Sequence, residues 1–381
     1  MKIALVENFG SDFFGARLRY AQFLKDNGHH VVAVVPDDGY ADKIVGAGIE
    51  TISIKVNIRS RDVKTMFAYG SKLGEIFKKE KFDIIHFYRM QPNIIGSPIA
   101  YFASRKSKII NHITGLGVAF TKSSFKYNVI RFIIKSAYNL NSRIFNAQLI
   151  LQNNEDKIEL GNLQEFLVVK GSAVNEDRFR LGLPKNIELI DELKNTYGMT
   201  EGITLIFVSR LLKQKGLSYL VEAVRVHNLN HINNKVNLLI AGWLDFNNPD
   251  SFTKEDIEKF SDVDGVIFLG KRNDIDQLIN ISDIAVLPTY YREGTPRFLL
   301  EAMAIGKPIL TTDMPGCNHL VKDNENGILV QPMDQSALTA AIEILSKRDL
   351  NNLGSVSRKI YENEFSENVV YNKLLETYLK K

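Results

Sequence analysis

Two glutamates in this chain, Glu293 and Glu301, are separated by seven residues and differ in their surroundings. Glu293 sits in a polar stretch, Tyr290-Tyr291-Arg292-Glu293-Gly294-Thr295-Pro296, after an apolar run that ends at Leu287 and Pro288. Glu301 is flanked by Phe298, Leu299, Leu300, Ala302, Met303 and Ala304, so a helix over Arg297–Ile305, stopped at Gly306, would bury it on most sides. A carboxylate there costs on the order of several kcal/mol unless something pairs with it or hydrogen-bonds to it. One reading is a structural ion pair with a neighbouring Arg or Lys. The other is a carboxylate that accepts hydrogen bonds from ligand hydroxyls. Thr295-Pro296 reads as an N-cap followed by proline at the first helical position, and the backbone N–H groups at that helix start can receive an anion. A hydroxyl-binding acid beside a helix N-terminus suits a ligand with phosphates next to a ribose.

The fuller string runs Tyr291-Arg292-Glu293-Gly294-Thr295-Pro296-Arg297, then Glu301-Ala302, Gly306-Lys307-Pro308 and Thr312-Asp313-x-Pro315-Gly316-Cys317. It resembles the signature of retaining glycosyltransferases of family 4, in particular a bacterial subgroup that builds surface glycans and lipid-linked oligosaccharides. The resemblance implies the GT-B fold: α/β, two Rossmann-like parallel-sheet domains facing an interdomain cleft. On that basis residues 1–170 form the acceptor-binding domain, with a C-terminal helix at 365–381 returning to it. Residues 171–364 form the nucleotide-sugar-binding domain.

Ligands of open parallel sheets bind at the C-terminal ends of the strands. After a strand at Ile203–Val208 comes Ser209-Arg210-Leu211-Leu212-Lys213-Gln214-Lys215-Gly216, which resembles the family's Arg-x4-Lys-Gly element for the donor diphosphate. Negative charge grows on the β-phosphate as it leaves, and two fixed cations, Arg210 and Lys215, would stabilise it. Phe268-Leu269-Gly270-Lys271-Arg272-Asn273-Asp274 is similar to the region that holds the nucleobase, so Arg272 is a candidate contact, the plainer reading being a solvated arginine on a turn. The loop after the first strand, Asn8-Phe9-Gly10-Ser11-Asp12-Phe13-Phe14-Gly15-Ala16-Arg17, lacks the Gly-x-Gly-x-x-Gly pattern of a nicotinamide site. Gly10 could let backbone approach a phosphate or sugar, and Arg17 could meet a phosphate or be a surface arginine. Thr114-Gly115-Leu116-Gly117 follows another strand; many relatives carry a histidine or acid where Thr114 stands, so no imidazole is available at that position. His112 and His86 lie on strands and are each either ligand contacts or satisfied structural histidines.

Asp262-Val263-Asp264 has the spacing of metal-dependent glycosyltransferases of another fold, but it precedes the strand Val266–Leu269 and reads as a turn away from the ligand rim. No other carboxylate pair suits Mg²⁺, so no metal or other cofactor is expected.

Length and composition set the remaining bounds. The 381 residues suit two domains of about 170–200 residues. The single cysteine, Cys317, excludes an internal disulfide and a multi-cysteine metal site. The N-terminus reads as a first strand rather than a signal peptide, and no apolar run reaches the roughly 18 residues of a spanning helix; a cytoplasmic protein, at most peripheral on the inner membrane, is expected. The net charge of +4 is uneven: residues 1–185 hold 27 Lys+Arg against 17 Asp+Glu, and the rest 21 against 27. No acid occurs between Asp83 and Glu155, a span that carries nine Lys or Arg. Within it Lys122–Arg143 mixes cations with Phe125, Tyr127, Val129, Ile130, Phe132, Ile133, Ile134, Tyr138 and Leu140, which suggests contact with anionic lipid or a diphosphate-bearing acceptor. The plainer reading is a solvated basic helix. No nucleic-acid-binding module is recognisable.

Together these readings point to a metal-independent, retaining glycosyltransferase. The resemblance places Glu301 on the ribose, Arg272 near the base, Arg210 and Lys215 on the diphosphate, and Glu293 with Gly294, Thr295 and Pro296 at the sugar and phosphate. Arg17, Thr114, Gly115 and His112 would face the acceptor or sugar, and Gly10 the donor. The expected donor is a UDP-N-acetylhexosamine such as UDP-GalNAc, and the expected acceptor is undecaprenyl-diphosphate-linked or another glycan. A UDP-sugar 2-epimerase on the same scaffold and a non-catalytic glycan-binding protein are the alternatives.

Overall fold

The computed structural model describes residues 1–56, 62–122, 124–161 and 166–380. The chain divides into two compact units. Unit 1 comprises Met1–Ala173, Glu293–Thr295 and Glu367–Lys381, and unit 2 comprises Val174–Arg292 and Pro296–Ser366.

Unit 1 is built on seven parallel strands: β1 (Lys2–Val6), β2 (His30–Pro36), β3 (Glu50–Ile54), β4 (Ile84–Tyr88), β5 (Lys108–Ile113), β6 (Gln148–Leu151) and β7 (Phe166–Val168), in the order β3-β2-β1-β4-β5-β6-β7. Alternation along each strand sends side chains to two different cores. Ile3, Leu5, Ile84, Ile110 and Ile150 enter one, with Tyr20 and, from the helix Glu367–Leu379, Val370, Tyr371, Leu374 and Tyr378. Ala4, Val6, Ile85, Phe87 and Ile109 enter the other. The C-terminal helix is fixed further by a two-point pairing of Arg19 with Glu367, at 2.8 and 2.9 Å, and by Tyr378 Oη against His86 Nδ1 at 2.5 Å.

Unit 2 carries six parallel strands: β8 (Thr204–Arg210), β9 (Asn237–Trp243), β10 (Val266–Gly270), β11 (Ile284–Leu287), β12 (Ile309–Thr312) and β13 (Gly327–Val330), ordered β10-β9-β8-β11-β12-β13. Strands buried on both faces account for the continuous apolar runs in the sequence. Each sheet reverses its strand order once, between β1 and β4 in unit 1 and between β8 and β11 in unit 2. Such reversals open the crevices in which ligands of α/β sheets bind.

Ahead of β8 lies a helix, Ile187–Tyr197, capped by the Asn186 side chain on Leu189 N and ended by Gly198 in the left-handed region. Two local readings change. The stretch read as a loop after the first strand is largely helical: Gly10–Ala16 and a second helix, Leu18–Asp26, meet at Arg17. The helix Arg297–Ile305 has the expected bounds, and Gly306 stops it at φ +84°. Its N-cap, however, is Pro296, not Thr295, and no side chain caps it. Proline therefore lies one position before the first helical residue, where its fixed φ still directs the chain into the turn.

Candidate active site

In unit 2 the residues singled out by sequence gather at the C-terminal ends of β8, β10 and β11. Arg210 is the last residue of β8 rather than a loop residue, because the strand runs two positions past Val208. Its guanidinium is half exposed and lies 3.2 Å from Asp245 Oδ2. Lys213–Lys215 then form one turn of 3-10 helix, closed by Gly216 at φ +78°. Gly216 packs against the loop after β11 so tightly that a Cβ would run into the Pro288 carbonyl. The Gln214 carbonyl accepts from Thr289 Oγ1 at 3.0 Å and from Tyr290 N at 2.9 Å. These contacts hold Lys215 beside that loop, with Nζ 5.4 Å from the centroid of the Tyr291 ring. The two cations thus stand on the β8 side of the sheet's reversal and the helix Arg297–Ile305 follows on its β11 side.

Glu301 is mostly buried, and Arg297 Nη2 lies 3.6 Å from it, one helical turn back. Burial raises its pKa above the usual carboxylate range, against the opposing pull of Arg297 and then Arg178. An ion pair is present, yet it does not offset the desolvation. Arg178 also pins the loop after β10, donating Nε to Asp276 Oδ1 at 2.7 Å and Nη2 to the Asn273 carbonyl. That brings the loop carrying Arg272 within electrostatic reach of Glu301. Arg272 itself is not a solvated arginine: Nε and Nη2 bind both Asp274 carboxylate oxygens, at 2.8 and 2.6 Å. Trp243, which ends β9, is half exposed with Lys271 Nζ 5.8 Å from its ring. Asp262 and Asp264 lie before β10, at the opposite end of its strand from the loop of Arg272. Among the described residues no group of three His, Cys, Asp or Glu could hold a metal ion.

Glu293–Thr295 belong by their contacts to unit 1. There Asn153 Nδ2 donates to the Gly294 carbonyl at 3.1 Å. A Cβ on Gly294 would meet Thr114 O and Gln152 Oε1, and one on Gly115, at φ +119°, would meet Gly294 N. Gly115, Thr114 and Gly294 are therefore one tight contact, possible only because two of the three lack a side chain. Gly10 N donates to Asp38 Oδ2 at 2.9 Å, and a Cβ there would strike the same carboxylate.

Arg17 is buried rather than on the surface. Its guanidinium lies 4.1 Å from the centroid of the Tyr88 ring, donates Nη1 to Ser172 Oγ at 3.0 Å, and brings Nε to 3.5 Å from Glu7 Oε2. Glu7, which the sequence reading passed over, is fully buried, and burial raises its pKa despite Arg89 and Arg17 beside it. Its signal was available: Leu5-Val6-Glu7 continues the alternation of β1 by one residue past the apolar run. His112 is buried with neither ring nitrogen hydrogen-bonded, and burial, with Arg17 next, drives its pKa well below the ordinary value, so it is neutral. His86 is bonded through Nδ1 to Tyr378, while its Nε2 is buried without a hydrogen-bond partner.

The basic stretch forms a helix, Phe125–Arg143, with Ile134, Tyr138, Asn141 and Ser142 buried. At about 100° per residue, Phe125, Val129, Phe132, Ile133 and Leu140 fall on the opposite face, and all are exposed, Phe125 by 84% and Phe132 by 72%. No helix among the described residues is long and apolar enough to cross a membrane.

Comparisons with known proteins agree with this geometry. Residues 190–363 match the family described as glycosyl transferases group 1, and residues 2–154 match glycosyl transferase 4-like. The chain is 26% identical to N,N'-diacetylbacillosaminyl-diphospho-undecaprenol alpha-1,3-N-acetylgalactosaminyltransferase of Campylobacter jejuni, over 99% of this chain and 98% of that one. It is likewise 26% identical to UDP-Gal:alpha-D-GlcNAc-diphosphoundecaprenol alpha-1,3-galactosyltransferase of Escherichia coli, over 84% and 80%. Among solved structures, a glycosyltransferase from Rickettsia africae superposes with a TM-score of 0.77 at 22% identity, covering 99% of this chain and 97% of that one. HepE of Anabaena, crystallised with UDP and glucose, superposes with a TM-score of 0.79 at 18% identity, covering 99% of each. With a 4-like first domain, a group 1 second domain and two parallel sheets, the chain belongs to the GT-B glycosyltransferases.

Proposed function

We propose that the protein is a retaining glycosyltransferase that moves an N-acetylhexosamine, such as GalNAc, from its UDP donor to a polyprenyl-diphosphate-linked glycan. The observation that carries this reading is the pairing of Arg210 and Lys215 on the β8 side of the reversal with the Glu301-bearing helix on the β11 side. In this reading Glu301 accepts from the ribose hydroxyls, the Arg272 loop receives the base, and Arg210 and Lys215 receive the diphosphate. Glu293 and the backbone of Gly294–Pro296 meet the sugar and its phosphate. The bond from the anomeric carbon to the β-phosphate oxygen breaks while the acceptor hydroxyl oxygen bonds to that carbon from the same face. The acceptor proton passes to the leaving phosphate, so UDP departs with the charge that the two cations stabilise. The reading assigns that role to side chains rather than to a metal ion.

The acceptor class rests on the two full-length or nearly full-length relatives whose names state undecaprenyl-diphosphate substrates. The exposed apolar stripe of Phe125–Arg143, on a helix without acids, would lie in the surface of an anionic bilayer where such an acceptor resides. In this reading the enzyme works peripherally at the cytoplasmic face of the membrane. The test is incubation with bacterial membrane lipid and a panel of UDP- and GDP-sugars, with lipid products read by mass. A mass gain of one N-acetylhexosamine, from a UDP donor only, is expected; consumption of donor without any lipid product would overturn the proposal.

A further inference from the structure

Arg210 ends β8, and its partner in the sheet register is Trp243, the last residue of β9. Two residues further on stands Asp245, whose Oδ2 accepts from Arg210 Nη1 at 3.2 Å. Among the described residues this carboxylate is the one polar partner of the Arg210 side chain. In the sheet order β9-β8-β11, Asp245 follows the strand on one flank of Arg210, whereas Lys215 is held against the loop after the strand on the other. A guanidinium carries five N–H donors in a rigid plane. An acceptor fixed on the β9 flank of that plane leaves donors for the β11 flank, where the sheet reverses.

An ordinary surface ion pair joins two mobile side chains and contributes little. Asp245 differs in how its backbone is held. Its N donates to Ser251 Oγ at 3.1 Å, and its carbonyl accepts from Asn248 N at 2.7 Å. The far end of the same loop is stitched to the residues that follow Arg210. Phe252 N donates to Leu211 O at 3.0 Å, Lys213 N donates to Asp250 O at 2.8 Å, and Leu212 bridges Ser251. On the near side Leu211 N donates to the Trp243 carbonyl at 3.0 Å, and a Cβ on Gly242 would run into the Ser209 carbonyl. The backbones that carry Arg210 and Asp245 are thus fixed to each other before and after the pair, and the carboxylate is 29% exposed. A negative charge beside cations that receive a diphosphate opposes binding. A carboxylate fixed there is accounted for by what it does to Arg210.

We propose that Asp245 is a positioning residue: it holds the Arg210 guanidinium in the orientation that meets the β-phosphate as its charge grows, while weakening the ground-state attraction for UDP. Donors set in place before charge develops favour the transition state over the ground state, so the two effects separate in kinetics. The proposal rests on the glycosyltransferase reading above and adds to it a residue that the sequence alone did not supply.

The test uses the full-length protein with UDP-N-acetylgalactosamine and a synthetic N-acetylhexosaminyl-diphosphate on a short polyprenyl chain. Transfer kinetics and Tm are measured for wild type, Asp245→Ala, Asp245→Asn, Arg210→Ala and the double variant Arg210→Ala, Asp245→Ala. UDP is titrated separately by the emission of Trp243, the sole tryptophan. Asp245→Ala is expected to lower kcat at least tenfold while binding UDP as tightly as wild type or more tightly, with Tm within 2 °C. Asp245→Asn keeps an acceptor oxygen and is expected to restore kcat to within threefold of wild type. In the Arg210→Ala background the change Asp245→Ala is expected to raise kcat, because the carboxylate there has lost its partner and repels the phosphates. Wild-type kcat in Asp245→Ala, or an equal fold-loss in the two backgrounds, overturns the positioning role. A lower Tm together with weaker UDP binding overturns it too, since Asp245 would then serve the loop alone. Absence of transfer by the wild-type protein overturns the glycosyltransferase reading itself.

Discussion

Gly216 is where the account of Lys215 is most exposed to test. Its φ of +78° lies in the left-handed region, and a Cβ would run into the Pro288 carbonyl. In Gly216→Ala the left-handed conformation alone costs about 1–2 kcal/mol. Relief of the clash must separate the turn Lys213–Lys215 from the loop after β11, weakening the two hydrogen bonds onto the Gln214 carbonyl, each worth about 0.5–1.5 kcal/mol. The sum centres near 3.5 kcal/mol, and for a domain of this size it lowers Tm by roughly 7–14 °C. Lys215 moves with the turn, and a displacement on the order of 1 Å in a charge-stabilising group lowers turnover about 10²-fold. Differential scanning calorimetry and donor-saturated transfer rates measure both. Gly46→Ala, in a helix and with nothing within 4 Å of the added Cβ, serves as the control with a Tm no lower than wild type and an unchanged rate. A Gly216→Ala protein that melts within 2 °C of wild type and transfers at the wild-type rate would refute the claim that this junction positions Lys215.

The remaining predictions concern charge and surface. Lys215→Ala and Arg210→Ala each lower kcat by about 10²–10³-fold, the range for removing one group that stabilises charge in the transition state, and EDTA leaves the wild-type rate unchanged; intact turnover in either variant would show that the diphosphate is held elsewhere. Glu301 has a folded pKa raised by burial, so the folded state binds protons more readily than the unfolded chain. Its contribution to stability is therefore present below the ordinary carboxylate pKa and lost as pH rises through the raised one. Glu301→Gln should accordingly weaken UDP binding while its Tm at pH 7.5 is no lower than wild type, and its Tm should fall less than that of wild type as pH is raised from 4.5 to 7.5. A lower Tm at pH 7.5 would mark Glu301 as structural. The double variant Phe125→Ser, Phe132→Ser should lower partitioning onto phosphatidylglycerol vesicles at least tenfold with Tm unchanged, since both rings are exposed; binding equal to wild type would remove the helix Phe125–Arg143 as the membrane face.

The sequence reading reached furthest where physics is local. β1, β6 and β11 are legible because continuous apolar runs leave few alternatives for strands buried on both faces, and Gly306 announces the end of its helix by needing a left-handed backbone. The gathering of Arg210, Lys215 and Glu301 at the C-terminal ends of β8 and β11 was legible for the same reason: they lie in two short strings attached to recognisable strands. The edge strands β7 and β13, three and four residues long, are too short for period-two alternation to stand out. Glu7 and Gln152 each follow an apolar run and so look like the first residues of loops; only the sheet register shows that they stand on one face with His112. Arg17 reads equally as a phosphate contact or a surface residue until the break between two helices, invisible in composition, sets it against Tyr88.

The stereochemistry of transfer tests the central claim most directly. A product made from α-linked UDP-N-acetylgalactosamine and the synthetic lipid-diphosphate acceptor should show, by proton NMR, a new α-glycosidic linkage and one UDP released per bond formed. A β-linkage, or UDP released with a free or epimerised sugar in place of the glycolipid, would contradict it.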